Sequence, residues 1–196
     1  MKRKQKVAVV YHHIPEFRRG VFERLCSEPD VDYIIVADNA TIIPALKLVE
    51  ENVLQKWTAQ GKFQRVKNLW FGTNILWQKG ICGRAFIDEF DVIIYLGSVY
   101  HISTWVSAAL AKRRGKRVLF WTHGLRNRED NLRGIIRRTF YRLADGLLVY
   151  GHRAKGILAG HGFPSDTLYV VYNSLDYDAQ KKQRDAVSSI QIEQVK

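Results

Sequence analysis

Six short apolar runs recur along the chain, at residues 7–10, 33–36, 92–96, 118–121, 146–150 and 168–172, each rich in Val, Ile, Leu or aromatic side chains. Polar residues interrupt them so little that they read as strands covered on both faces, and a weaker one lies near 63–66. Between the runs the period lengthens to that of a helix. Phe17, Val21, Phe22 and Leu25 share one face, as do Ile102, Trp105, Val106, Ala109 and Leu110, and again Leu132, Ile135, Ile136, Phe140 and Leu143. These three stripes predict helices packed on a sheet with the named residues inward.

Strand and helix in alternation predict βαβ units, hence an α/β fold with a doubly wound, mainly parallel sheet of six or seven strands, a single Rossmann-like domain. Residues 41–90 carry many aromatics and turn glycines without a clear period. Beyond Asp176 the chain turns polar, so the domain is expected over 1–176 and a linker or tail over 177–196. The length of 196 residues accommodates one full domain, and 46% hydrophobic residues furnish a single core. Cys26 and Cys82 stand far apart, outside any CxxC, and read as buried thiols of a reducing compartment. The apolar run after the basic start is too short for a signal peptide, and the uncharged stretch 92–111 reads as strand, turn and helix; a cytoplasmic protein is the expectation.

Charge narrows the partners. Lys plus Arg exceed Asp plus Glu to give +12, which favours anions: nucleic acid, phosphorylated substrates or an anionic membrane. One basic run occupies residues 112–117, at a helix-to-strand turn on the edge opposite the strand exits. Another comprises Arg126, Arg128, Arg133, Arg137, Arg138 and Arg142, the last four riding the helix of Leu132 to Leu143. Such a helix is either a membrane-surface element or an ordinary sheet-packed helix with a solvated face. Nucleic acid is an alternative partner, ranked lower because the aromatics read as core rather than as an exposed stacking platform.

In an open parallel sheet, ligands bind beyond the carboxyl ends of the strands. Those ends bring His12 and His13, then Gly97 and Ser98 with His101 close behind, then Thr122, His123 and Gly124, then His152, then Asn173. Five of the six histidines therefore point to one rim, which predicts a cleft there. Neighbours on an extended chain face opposite ways, so at most one of His12 and His13 is expected to face it. His123, in a turn, suits hydrogen bonding or acid/base work near neutral pH. The turn after strand one offers Pro15, Arg18, Arg19 and Gly20 to an anionic group. It lacks both G-x-G-x-x-G and a P-loop, which argues against a dinucleotide oxidoreductase. No carboxylate accompanies the histidines at ligand spacing, and no metal is assigned.

The order of these parts resembles the N-terminal half of retaining GT-B fold glycosyltransferases of the glycogen-synthase-like group. The likeness rests on the Pro-containing turn before Arg and Gly, Asp91-Val92-Ile93-Ile94 leading to Gly97-Ser98, Thr122-His123-Gly124, Ala144-Asp145-Gly146, and Asn173-Ser174-Leu175-Asp176, with Ser174 where the family has Gly. It implies an acceptor-binding Rossmann-like half of a transferase of polysaccharide or glycolipid synthesis. The acceptor would be a sugar or lipid-linked sugar, and the nucleotide-sugar donor a substrate held mainly by a C-terminal domain or a separate donor-binding chain, with no further cofactor. It assigns His123 to the histidine near the transferred sugar. Residues 15–20 become the loop lining phosphates and acceptor, Gly97, Ser98, Gly124 and Asn173 further contacts, and Arg133, Arg137, Arg138 and Arg142 a surface for the inner face of the cell membrane.

Overall fold

The computed structural model describes residues 3–87, 90–125, 127, 131–173, 181–182 and 184–185. Arg126, Arg128, Ser174, Leu175, Asp176 and most of the expected tail lie outside them.

Seven strands form one parallel sheet: β1 (Gln5–His13), β2 (Val31–Asp38), β3 (Phe63–Arg65), β6 (Val92–Leu96), β7 (Arg117–Thr122), β8 (Gly146–Val149) and β9 (Leu168–Val170), in the order β3-β2-β1-β6-β7-β8-β9. A separate antiparallel hairpin pairs β4 (Lys67–Phe71) with β5 (Ile75–Lys79). The helices are α1 (Arg19–Cys26), α2 (Glu51–Ala59), α3 (Ile81–Ile87), α4 (Ile102–Arg113), α5 (Leu132–Tyr141) and α6 (His152–Gly160). The architecture is the doubly wound α/β sheet that the apolar runs demand. The order reverses at β1, so the crevice between the ends of β1 and β6 is the switch point where such sheets take ligands.

Alternate residues of β1 enter two cores, because side chains of a strand alternate in direction. Ala8 and Val10 join Ile93, Tyr95, Val118, Phe120, Leu147 and Val149 beneath α3 to α6. Val9 and Tyr11 join Ile35, Phe22, Leu54 and Trp57 beneath α1 and α2. The expectation that both faces are covered holds for β1 and β2. On β7 to β9 the residues on the α1 side, Leu119, Leu148 and Tyr169, stay half-buried or exposed among the described residues.

The stripe on α5 is a correction. Leu132, Ile135 and Ile136, expected to face inward, are 70%, 51% and 46% exposed, while Phe140 is buried against Trp105 and Phe120. Geometry accounts for this. The chain rejoins the sheet at Gly146, opposite Leu119 and only three residues before the end of β7. A ten-residue helix spans about 15 Å, whereas three strand residues rise only about 10 Å, so about one turn of α5 overhangs the strand ends, and Ile135 and Ile136 in the next turn are exposed as well. The last strand also stops earlier than expected, at Val170, and Tyr172 takes a left-handed conformation with φ 54°.

At the end of β6 the strands approach closely. A Cβ on Gly97 would lie 2.8 Å from Thr122 Cβ and 3.1 Å from Phe120 Cβ. Gly97→Ala should therefore push β6 and β7 apart and destabilise the fold by about 1–3 kcal/mol. Thermal unfolding should show a fall of roughly 2–4 °C per kcal/mol; an unchanged midpoint would mean that the two strands separate without cost.

Candidate functional site

The carboxyl ends of β1, β6, β7 and β8 frame one groove. Its larger cavity, about 540 Å³, is lined by His12, His13, Pro15, Arg18, Ser98, His101, Trp121, His123, Tyr150 and Asn173, with Phe17, Ile43 and Leu46 as an apolar wall. A second cavity of about 400 Å³ shares Gly97, Ser98, Thr122 and His123 with it and extends to Gly124, Arg137 and Tyr141. Thr122 ties these walls together. Its hydroxyl lies 3.1 Å from the Gly97 carbonyl and 2.8 Å from the Tyr141 hydroxyl, and accepts the Gly124 amide at 3.2 Å. Gly124 itself turns at φ 71°, with the nearest Ala154 carbon 3.1 Å from where a Cβ would stand.

Both His12 and His13 line the cavity, contrary to the expectation for neighbours on an extended strand. The pairing of β1 with β2 breaks register between Val10 and His13, and this irregularity turns the two imidazoles to one side, their centroids 3.7 Å apart. His101 completes the group at 5.5 Å from His12, and Trp70 of the hairpin packs edge-on against both. Among the described residues no three His, Cys, Asp or Glu side chains stand where they could hold a metal ion. Burial governs their titration. It lowers His12 to about 2, with neighbouring His13 and His101 adding to the effect. His13 falls to about 4 through burial, opposed by Asp38, and His101 to about 4 through burial and His13. All three are neutral imidazoles near pH 7, each with one donor and one acceptor nitrogen. The Nδ1 atoms of His12 and His13 are buried without a hydrogen-bond partner.

Arg18 closes a 3₁₀ turn, Glu16–Arg18, just before α1 and is only 5% exposed. It reaches across the rim to donate to the Tyr150 hydroxyl at 3.0 Å and to Asn173 Oδ1 at 2.8 Å. Trp121, Tyr150 and Tyr11 surround its guanidinium at 5.1, 5.6 and 5.9 Å. Burial, opposed by Arg18, pushes the Tyr11 hydroxyl up to about 12. His123 is exposed and packs edge-on against Tyr150 at 4.5 Å, where the two cavities meet.

Of the residues singled out in the sequence, the groove thus collects Pro15, Arg18, Gly97, Ser98, His123, Gly124 and Asn173. It does not collect Arg19, which turns away to pair with Glu23 at 2.9 Å and Glu16 at 3.6 Å, nor Gly20, which lies within α1. His152 is also apart, bonded to the Tyr172 hydroxyl at 3.2 Å. The four arginines of α5 do not form one patch. Arg133 is exposed, Arg137 lines the smaller cavity, Arg138 is half-buried, and Arg142, at the far end, lies over Phe163 at 5.6 Å. The run at 112–117 sits on the opposite edge, with Lys112 paired to Asp145 and Arg114 over Phe86. The aromatic enclosure of Arg18 is a feature that the sequence reading above does not contain. Its signal was present: Tyr11, Trp121 and Tyr150 each stand at the last or next-to-last apolar position before a strand's polar exit. Ile43 and Leu46, in a long loop, carry no such signal.

Comparison with known proteins places this geometry. The sequence profile of Glycosyltransferase Family 4 matches residues 59–179. No curated protein matches the chain. Among solved structures, a UDP-N-acetylglucosamine 2-epimerase superposes with a TM-score of 0.58 at 16% identity, over 86% of this chain and 48% of its own. UDP-GlcNAc 2-epimerase from Neisseria meningitidis, bound to UDP-GlcNAc, gives 0.56 at 14% identity over 97% and 53%. The lipopolysaccharide outer core galactosyltransferase WaaB gives 0.54 at 15% identity over 86% and 46%. The chain spans about half the length of each. These likenesses establish a GT-B type Rossmann-like fold.

The histidine group makes stability pH-dependent. Its folded pKa values lie below the ordinary 6.5, so the unfolded chain binds more protons below that pH. The stabilisation is complete above pH 6.5 and is lost as pH falls, toward 4 for His13 and His101 and toward 2 for His12, at up to about 1.4 kcal/mol per pH unit for each imidazole. Urea unfolding midpoints should fall between pH 7 and pH 5, and less so in His12→Gln; a flat profile in the unmodified chain would show these imidazoles to be hydrated.

Proposed function

This chain belongs to Glycosyltransferase Family 4, and from that premise we propose that residues 1–176 form the acceptor-binding half of an enzyme that transfers a sugar from a nucleotide-sugar to a sugar or lipid-linked sugar acceptor. The observation that carries the reading is the convergence of Pro15, Arg18, Gly97, Ser98, His123 and Asn173 on one groove at the carboxyl ends of a parallel sheet. A nucleotide-sugar donor is supported by the structural relative bound to UDP-GlcNAc. Donor contacts beyond this groove fall to a C-terminal domain or to a separate chain.

Each residue has a task that its chemistry suits. The neutral imidazoles of His12, His13 and His101 offer donors and acceptors to sugar hydroxyls. His123, at the junction of the two cavities, is positioned to hydrogen-bond the sugar in transfer. Phe17, Ile43 and Leu46 give an apolar wall for a lipid-linked or ring-carbon surface. Around Thr122 the groove's walls are cross-bonded, which keeps these groups in fixed relation during transfer.

The enzyme works at a membrane in polysaccharide or glycolipid synthesis, on the cytoplasmic, inner face. Among the described residues no helix is long and apolar enough to cross a membrane. The first turns of α5 instead combine the exposed Leu132, Ile135 and Ile136 with the exposed Arg133, and the half-buried Arg138 follows in the last turn, the composition of a helix lying in an anionic interface. The same helix lends Arg137 to the smaller cavity of the groove.

Two measurements test the reading. In glycosyl transfer by the full-length protein with its donor-binding part, His123→Ala should lower kcat by about 10²-fold or more at unchanged thermal midpoint; near-normal turnover would move the chemistry elsewhere. Binding to anionic vesicles should weaken with salt, with the Arg133→Gln, Arg138→Gln pair removing the salt-dependent part and Leu132→Ser, Ile136→Ser the remainder. Binding unaffected by either pair would remove α5 as the contact.

A further inference from the structure

The amino ends of the strands form a second edge, about 17 Å from the groove along the five-residue β6, and the turn from α4 into β7 carries the basic run 112–117 to it. Backbone bonds tie the starts of three strands together at Asp91, whose amide donates to the Lys6 carbonyl at 2.9 Å and whose carbonyl accepts from the Arg117 amide at 3.0 Å. Arg3 closes the edge through a 2.9 Å pair with the Asp91 carboxylate. Between these starts and the last turn of α3 lies a cavity of about 450 Å³, whose lining includes Arg3, Phe86, Ile87, Phe90, Arg114 and Lys116. It shares no residue with the groove.

Two observations set this edge apart from an ordinary solvated surface. Arg113, Arg114 and Arg117 are exposed, and none of them belongs to an ion pair among the described residues, whereas Lys112 in the same run is held by Asp145 at 2.7 Å. Beside these cations stands Ile87, at 78% the most exposed large apolar side chain among the described residues, with Phe86 next to it at 44%. Asp88 and Glu89 follow outside the described residues; the five basic residues of 112–117 and Arg3 outnumber them together with Asp91. The Arg114 guanidinium lies 4.8 Å over the Phe86 ring and the Lys116 ammonium 5.9 Å over the Phe90 ring. A guanidinium seated on an aromatic face is held in place with its outer N–H groups turned to an oxyanion, and it loses less side-chain freedom on binding one. The same seating takes a face of each ring, which removes it as a stacking platform for nucleic-acid bases. The first turn of α5, the membrane element of the reading above, overhangs the opposite ends of the strands, so a lipid surface met there leaves this edge facing away.

We propose that this hollow is a docking site for an acidic segment of a partner protein, with carboxylates on Arg113, Arg114 and Arg117 and an apolar side chain of the segment against Ile87 and Phe86. Arg114 meets a carboxylate through parallel N–H bonds. Charge at an exposed edge steers the segment and fixes its orientation, while the affinity comes from covering Ile87 and Phe86. The hollow and the groove lie at opposite ends of the same strands, so a partner held here leaves the groove open. The contact therefore places the protein beside another without blocking it, whatever ligand the groove takes.

The test is fluorescence anisotropy of the chain at pH 7 and low salt with a labelled twelve-residue peptide of Glu and Asp around a central Phe-Leu pair, and with the same peptide carrying Gly-Gly at its centre. The Phe-Leu peptide should bind about tenfold more tightly than the Gly-Gly peptide, and Ile87→Ser should abolish that difference. Arg114→Gln should weaken both peptides about threefold, and Arg113→Gln with Arg114→Gln about tenfold, the loss shrinking as salt rises. Arg153→Gln, an equal loss of charge at the start of α6, should leave both affinities unchanged. All of these side chains are exposed, so the thermal midpoint should not move. No peptide binding, affinities that ignore Ile87 and Arg114, or an equal effect of Arg153→Gln, which is attraction to net charge alone, overturns the proposal. A twelve-nucleotide oligothymidylate or phosphatidylglycerol vesicles bound more tightly than the Phe-Leu peptide and weakened by the same substitutions also overturns it, in favour of nucleic acid or lipid.

Discussion

The parallel ladder of β1, β6, β7 and β8 is the constraint from which the rest follows. Its inner strands have neighbours on both sides, so their backbone groups are satisfied inside the sheet, and side chains of alternate direction must be apolar wherever a layer covers them. Polar and titratable side chains can leave only where the ladder stops. All the strands of this sheet run the same way, and their carboxyl ends coincide, so those side chains meet at one rim. The groove is thus not an addition to the fold. It is the place where the fold stops excluding water, and Thr122, bonded to Gly97, Gly124 and Tyr141 around it, fixes how the loops leave.

Within that rim the chain holds several groups in states that oppose stability. A guanidinium with no counter-charge among the described residues and imidazoles buried as neutral rings each cost free energy relative to their hydrated forms. Two hydrophobic clusters, one on each side of β1, offset that cost. The loop from β1 to α1 shows the balance at short range. Ile14 and Phe22 are fully buried on either side of Arg18, so the apolar anchors hold the turn while the charge between them is presented to the cavity. Strain of this kind persists where the surroundings over-determine the geometry, which is the usual condition of a binding site.

The sheet was legible because its strands are continuous apolar runs, a pattern that few other architectures require. Val7, Ile93, Phe120 and Leu147 needed no tertiary information to be assigned to a core. The site was legible only where it coincides with strand ends: Gly97, Ser98, His123 and Asn173 follow their strands directly. Arg18 and Arg19 could not be separated by sequence, since one residue of rotation on a turn decides which of them meets Tyr150 and which meets Glu23. The facing of His12 with His13 depended on a register break that no residue type announces. The hairpin was hidden for another reason. Its strands alternate apolar and polar weakly, and Gln78, a residue sequence reasoning places on the surface, is 2% exposed because it bonds Tyr11's carbonyl and Asn68.

The stripe on α5 misled in an instructive way. A period of 3.6 reports that one face of a helix is apolar, not what covers it. Here the same stripe is divided in two. Phe140 stacks on Phe120 at 4.5 Å and on Trp105 at 4.9 Å, which anchors the last turn of the helix to the sheet. Leu132, Ile135 and Ile136 are exposed to solvent. The helix is therefore held at one end and uncovered at the other, and Arg137, between the two halves, lines the groove.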